Sequence, residues 1–240
     1  IWIEYSGNKK FLNQLLRKIN ESDFLSFNLR INFKKKDIDV EQFSELFAKF
    51  FKLKYICIYN TNSEYKHPSI FNFENDLKKS LQSTKVNVKE FQINIALVCE
   101  SPKHHNYFNR KLYIGINGEI KNAPECLENF GFIQNLKKDN DLNEIINSQK
   151  FQKYWGIHKN LIDVCKDCEY RNMCISRQRP KKRKEAEWYH LIECNYNPYI
   201  AKWKGENEYK TLKESGVVSN QNGFFIDFDM LSQINQDLLE

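Results

Sequence analysis

The chain has 240 residues, 41% hydrophobic and 14% aromatic with 18 Phe and 12 Tyr, enough to bury a sizeable core and too apolar for a disordered tail. A formal charge of +6 is moderate and fits a Lys-rich solubilising surface as well as an acidic partner. No stretch approaches the ~20 apolar residues of a membrane span and no apolar segment of signal type opens the chain, so a cytoplasmic protein with reduced thiols is expected. The sequence starts at Ile1, within an apolar alternation and without a methionine, and reads as part of a longer polypeptide.

The first hundred residues alternate strand and helix signals. Ile1 to Tyr5 alternates apolar and polar, and Phe11, Leu12, Leu15, Leu16 and Ile19 follow at helical spacing. Phe27, Leu29, Ile31 and Phe33 alternate again, and Phe43, Leu46, Phe47, Phe50 and Phe51 make a second helical stripe. Tyr55 to Tyr59 is a continuous apolar run of strand length. Phe73, Leu77 and Leu81 then mark a helix face, and Ile93 to Val98 a fourth strand. The pattern predicts an α/β fold of βα units with a parallel sheet between helices. The Phe and Leu stripes are core faces, and Cys57 and Cys99, in or beside apolar runs, are read as small hydrophobes.

After Cys99 the pattern changes. A polar and aromatic segment, ESPKHHNYFN, leads into two short strands around Asn117-Gly118, a pair suited to a type I′ hairpin. A boundary is placed here, giving domains 1–104 and 105–240. The adjacent His104 and His105 point in different directions on an extended chain and are read as boundary loop, not as ligands. Asp141 to Trp155 reads as an amphipathic helix, residues 135–141 as an exposed loop, and the tail from Gly216 as an apolar segment docking on the fold.

Cys165, Cys168, Cys174 and Cys194 give the spacing C-x2-C-x5-C-x19-C. Two thiolates separated by two residues, a third close behind and a fourth from a distant loop suit a tetrahedral metal or an iron–sulfur cluster better than disulfides in a chain with no secretory features. Ligand count does not choose between zinc and a four-iron cluster. One knuckle with two single cysteines departs from a zinc ribbon with its two knuckles. The basic run Arg177 to Lys184 lies inside the loop between Cys174 and Cys194. No Ser-His-Asp order, phosphate-binding glycine loop or carboxylate pair stands out, so the catalytic residues are unknown.

CKDCEYRNMC with the later ECNYNPY resembles the SPASM domain that follows the barrel of radical S-adenosylmethionine enzymes acting on peptides. The resemblance implies that Cys165, Cys168, Cys174 and Cys194 hold the second auxiliary cluster of that domain, one 4Fe-4S cluster. The chain departs from the pattern at the first auxiliary cluster. Gln178 stands where that cluster's cysteine belongs, Ala123 stands five positions after Gly118, and Cys126 is a single nearby thiol. Over residues 107 to 206 the wording resembles more closely the SPASM-domain maturase of grasp-with-spasm peptide systems.

That resemblance implies a partial, degenerate radical-SAM-like (βα) barrel in 1–104 and a SPASM-like iron–sulfur domain in 105–240. It also implies an ATP-grasp ligase as partner and a ribosomally made precursor peptide as the common substrate. The C-x3-C-x2-C loop that would bind S-adenosylmethionine is absent from these residues. Two alternatives remain open. One is an active radical enzyme whose motif lies outside this segment. The other is a zinc-binding module that meets nucleic acid through the basic run, with Trp188, Tyr189 and His190 as stacking candidates.

Overall fold

A computed structural model describes residues 1–5, 7–22, 25–33, 39–73, 94–137, 141–184 and 187–238. The chain divides into two compact units: Ile1–Ser83 with Arg110–Gln152, and Thr84–Asn109 with Lys153–Glu240. Where a single cut at 104/105 was expected, the chain passes between the units after Ser83, after Asn109 and after Gln152.

The first unit is mixed α/β. Its strands are β1 (Trp2–Tyr5), β2 (Phe27–Phe33), β3 (Leu53–Tyr59), β4 (Ile70–Phe73), β5 (Tyr113–Ile114) and β6 (Ile120–Lys121), in the order β4-β3-β2-β1-β5-β6. The first five run parallel and β6 returns antiparallel to β5. Ile3 faces Ile31 on β2 and Ile114 on β5, and all three are almost fully buried.

Helix α1 (Lys9–Glu21) starts where the Asn8 side chain accepts the Phe11 amide at 3.0 Å, and it buries Leu12, Leu15, Leu16 and Ile19 at the spacing expected. The second stripe is shorter than predicted: a 3-10 turn (Glu41–Phe43) runs into α2 (Glu45–Lys49). Phe43 packs edge-on against Tyr5 and Phe33, with ring centroids 6.2 and 5.6 Å away, while Phe51 is exposed.

Several expectations are corrected. The fourth parallel strand is Ile70–Phe73, so Phe73 ends a strand and does not begin a helix; Leu77 and Leu81 lie outside the described residues. Of the apolar run 93–98, Ile93 lies outside them and the rest is a helix, Ile95–Glu100. Asn94 accepts the Leu97 amide at 3.2 Å and caps it, a local bond that periodicity alone does not weigh. Ile95 is exposed, and so is Cys99, which is therefore not a core hydrophobe. The hairpin turn is not type I′. Gly118 alone has a left-handed φ of +87°, its amide donates to Gly115 O at 2.9 Å, and the turn centres on Ile116 and Asn117. The helix from Asp141 stops at Asn147, where Ser148 Oγ donates to Ile145 O at 2.7 Å.

The second unit is built from short turns and two-stranded ribbons: β7 (Lys181–Lys184) with β8 (Glu187–Tyr189), β9 (Tyr196–Asn197) with β10 (Lys202–Trp203), and β11 (Val217–Asn220) with β12 (Gly223–Ile226). Residues of the 94–109 segment join it through Ser101 Oγ to Asn172 Oδ1, 3.1 Å, and Asn106 Nδ2 to Asn172 O, 3.1 Å. His105 is not a boundary loop: it is wholly buried, with Nδ1 accepting the Tyr107 amide at 3.1 Å. The tail closes with the helix Phe228–Asp237, which buries Ile234 but leaves Phe228 exposed. Among the described residues no helix is long and apolar enough to cross a membrane.

Leu16→Ala, which empties a fully buried position on α1, should cost about 2–5 kcal/mol in urea unfolding. Leu25→Ala, at a 95% exposed position, should stay within about 0.5 kcal/mol of the parent. Equal losses would contradict this core.

Candidate functional site

Cys165 and Cys168 stand at the two ends of one tight turn. A 3-10 helix covers Cys165–Asp167, and the Cys168 amide donates to Cys165 O at 3.2 Å. Positions three apart eclipse one another on such a turn, which puts the two side chains of the C-x2-C pair on one side. A second 3-10 turn, Glu169–Asn172, carries the chain to Cys174. Cys194 comes from the loop between β8 and β9.

These four side chains line one cavity of about 480 Å³ in the second unit. Lys159, Asp163, Gln178, His190 and Glu193 are also in its wall. All four cysteines are half-buried and none forms a disulfide. Gln178, in the position where the resemblance would want another cysteine, therefore shares this wall, with only 7% exposure. Cys57 and Cys126 belong to the first unit, Cys126 in its core, and neither they nor Cys99 line the cavity.

The turns that carry the cysteines are tied down by polar contacts. Asp163, 8% exposed, has its amide on Trp188 O at 2.8 Å and its carboxylate on Arg183 Nη2 at 2.8 Å. The same guanidinium donates to Asn220 O at 2.6 Å and Gly223 O at 3.2 Å, so one side chain joins the knuckle, β7 and the β11–β12 ribbon. Arg171 Nη1 donates to Cys168 O at 3.0 Å. Tyr199 OH donates to Asp167 at 2.7 Å, and Tyr196 OH donates to Glu169. Asn197, fully buried, donates to Lys210 O and Ser215 Oγ, both at 2.9 Å, and fixes the chain just after Cys194.

Val164 has φ +66°, a left-handed conformation that a β-branched side chain adopts only under constraint. It immediately precedes Cys165, so the first ligand candidate leaves a strained residue.

Burial pushes the Cys165 and Cys168 thiols up to about 12, with the neighbouring thiols adding to it; burial also raises Cys194. Without a cation in the cavity these groups are neutral thiols at pH 7. His190 is held well below its ordinary value by burial and by Lys159, whose Nζ lies 3.3 Å from His190 Nε2.

Four thiols around one chamber supply the donor chemistry that an iron–sulfur cluster takes. Among the described residues no three Cys, His, Asp or Glu side chains are placed to hold a single metal ion. Thiolates on one zinc, each at about 2.3 Å, would draw together to about 4 Å of each other.

The basic run is only partly a surface. Arg183 is clamped inside and stacks on Tyr189 at 5.1 Å, Tyr189 is itself buried, and His190 faces the cavity. Lys181, Lys182 and Lys184 remain exposed, beside the half-buried Trp188.

The fold and site thus define a mixed α/β protein whose second unit carries a four-cysteine cavity. No protein-family model, curated protein or solved structure matches this chain, so no family is identified by comparison.

Two predictions follow from the clamp and the thiols. Arg183→Met should cost about 3 kcal/mol, since it strands a buried carboxylate, whereas Lys182→Met at an exposed neighbour should cost less than about 0.5 kcal/mol; thermal melts of both variants test this. In the metal-free reduced protein, the thiol values raised above the ordinary 9.0 mean that stability is full below pH 9. It should fall as pH rises from about 9 toward 12, because unfolded thiols ionise first. Melting temperatures that rise over this interval would contradict the burial of Cys165 and Cys168.

Proposed function

We propose that this chain is an iron–sulfur protein of ribosomal peptide maturation. It holds one 4Fe-4S cluster on Cys165, Cys168, Cys174 and Cys194 and acts with an ATP-grasp ligase on a precursor peptide. The observation that carries the reading is that four cysteines spread over thirty residues of sequence line a single cavity. The wording shared with SPASM-domain maturases supports the rest, and the parallel sheet of the first unit is compatible with a degenerate radical-SAM-like barrel. We place the protein in the cytoplasm, where thiols stay reduced.

When bound, a four-iron cluster supplies a cross-link between loops and a site for one-electron transfer. With four thiolates filling its irons, no coordination position remains for substrate, and the structural role is favoured. The chain's own contribution is to present four thiols from turns fixed by Asp163, Arg171, Tyr196 and Tyr199, and to shield them from water. No S-adenosylmethionine site is assigned, because these residues carry no C-x3-C-x2-C loop. The zinc and nucleic-acid reading loses Arg183 and Tyr189 to the interior, which leaves it three exposed lysines, the half-buried Arg177 and Arg179, and Trp188.

The test is reconstitution. The chain, an ATP-grasp ligase encoded beside it and the precursor peptide of that system are co-expressed, and peptide mass is read for the loss of one water per side-chain bond. Bond formation that drops when the chain is omitted, or is replaced by Cys168→Ala, is expected. Equal modification with and without the chain would contradict the maturation role.

A further inference from the structure

Among the charged side chains in the wall of the cysteine cavity, Lys159 is the fully buried cation without a carboxylate partner. Asp163 faces Arg183 at 2.8 Å and Lys166 at 3.8 Å. Glu193 accepts the Leu212 amide at 2.6 Å, and Arg171 is engaged by Asn160 Oδ1 at 3.1 Å and by the carbonyl of Cys168. Lys213 lies in solvent. Lys159 is different. It is 2% exposed, among the largest fully buried side chains of the protein, and it lines the same cavity as the four thiols. Its one hydrogen-bond partner among the described residues is the neutral ring of His190, 3.3 Å away, and no carboxylate pairs with it.

A buried ammonium without an anion is strongly unfavourable, because it gives up its hydration and receives no opposing charge. The chain nevertheless directs Lys159 into the cavity from the 3-10 turn Lys159–Leu161, six residues before Cys165. Four thiolates around one inorganic group bring in a net negative charge, and Lys159 is the fully buried cation in this wall, whereas Arg171 is half-buried and held by neutral oxygens.

We propose that Lys159 is the internal counter-cation of the anionic metal group held by Cys165, Cys168, Cys174 and Cys194. This rests on the metal reading of those cysteines and adds a residue outside the ligand set. Loading the site releases thiol protons to solvent. No bond to Lys159 forms or breaks. It acts through charge alone, as a positioning residue.

The full chain is purified without oxygen in three forms: parent, Lys159→Met, which keeps an apolar stem of similar length, and Lys159→Arg, which keeps the charge. Metal release to a chelator is followed for iron and zinc. Where iron is present, the midpoint potential is read with dithionite and redox dyes. The Met variant should release metal about tenfold faster, the order of effect of one buried charge. Its potential should fall, by about 59 mV if the reduction equilibrium weakens tenfold. The Arg variant should restore both towards the parent.

A metal-loaded Met variant with parental release and potential would overturn this inference and leave the cluster reading standing. Early release in the Met variant that Arg does not correct would assign Lys159 to packing and overturn it as well. A parent chain that binds neither iron nor zinc would overturn both. Circular dichroism of the metal-free forms separates loss of the site from loss of the fold.

Discussion

The buried pair Asp163–Arg183 is the interaction on which the second unit depends. The segments that carry Cys165, Cys168, Cys174 and Cys194 are short 3-10 turns and connecting loops, and the strands beside them are two to four residues long. Such pieces offer little apolar surface to bury, so hydrophobic burial alone does not fix their arrangement. Arg183 supplies a cross-brace. One guanidinium reaches the knuckle through Asp163 and the β11–β12 ribbon through Asn220 and Gly223. Its removal from water is matched by good geometry on several acceptors, the condition under which a buried ion pair holds a unique arrangement.

Around that brace the electrostatics of the cavity are unbalanced in a way that suits an inorganic group. Burial pushes the Cys165, Cys168 and Cys194 thiols above their ordinary value, toward the neutral form. The same burial makes the ammonium of Lys159 costly. A cationic metal core held by the four cysteines would take up the thiols in their ionised form, and the anionic complex would offset the charge of Lys159. Metal binding and the ordering of this unit would then be coupled, as in small domains whose folding free energy comes largely from ligation.

The sequence made much of the first unit legible. Phe27, Leu29, Ile31 and Phe33 alternate because one face of a strand is buried, and Leu12, Leu15, Leu16 and Ile19 repeat at helical spacing because one face of α1 is. The run 93–98 misled for a local reason: it is equally apolar as strand or helix, and the Asn94 cap decides the part that is described. The Asn117-Gly118 turn was placed correctly in the chain but mistyped, since only Gly118 takes the left-handed conformation. At the site, cysteine spacing was enough to gather Cys165, Cys168, Cys174 and Cys194. Lys159, Asp163 and Arg183 were not visible, because charged residues in a charge-rich stretch look like solvated surface. Their burial depends on a partner twenty residues away in the case of Asp163 and Arg183. The strain at Val164 likewise has no signature in composition.

The central claim is that the four-cysteine cavity holds one iron–sulfur cluster. The most direct measurement is iron, acid-labile sulfide and zinc content of the full chain purified without oxygen, read with its visible absorption. The account predicts about four irons and four sulfides per chain and a brown chromophore that Cys168→Ala abolishes. One zinc without iron, or the same iron content in Cys168→Ala as in the parent, would contradict it.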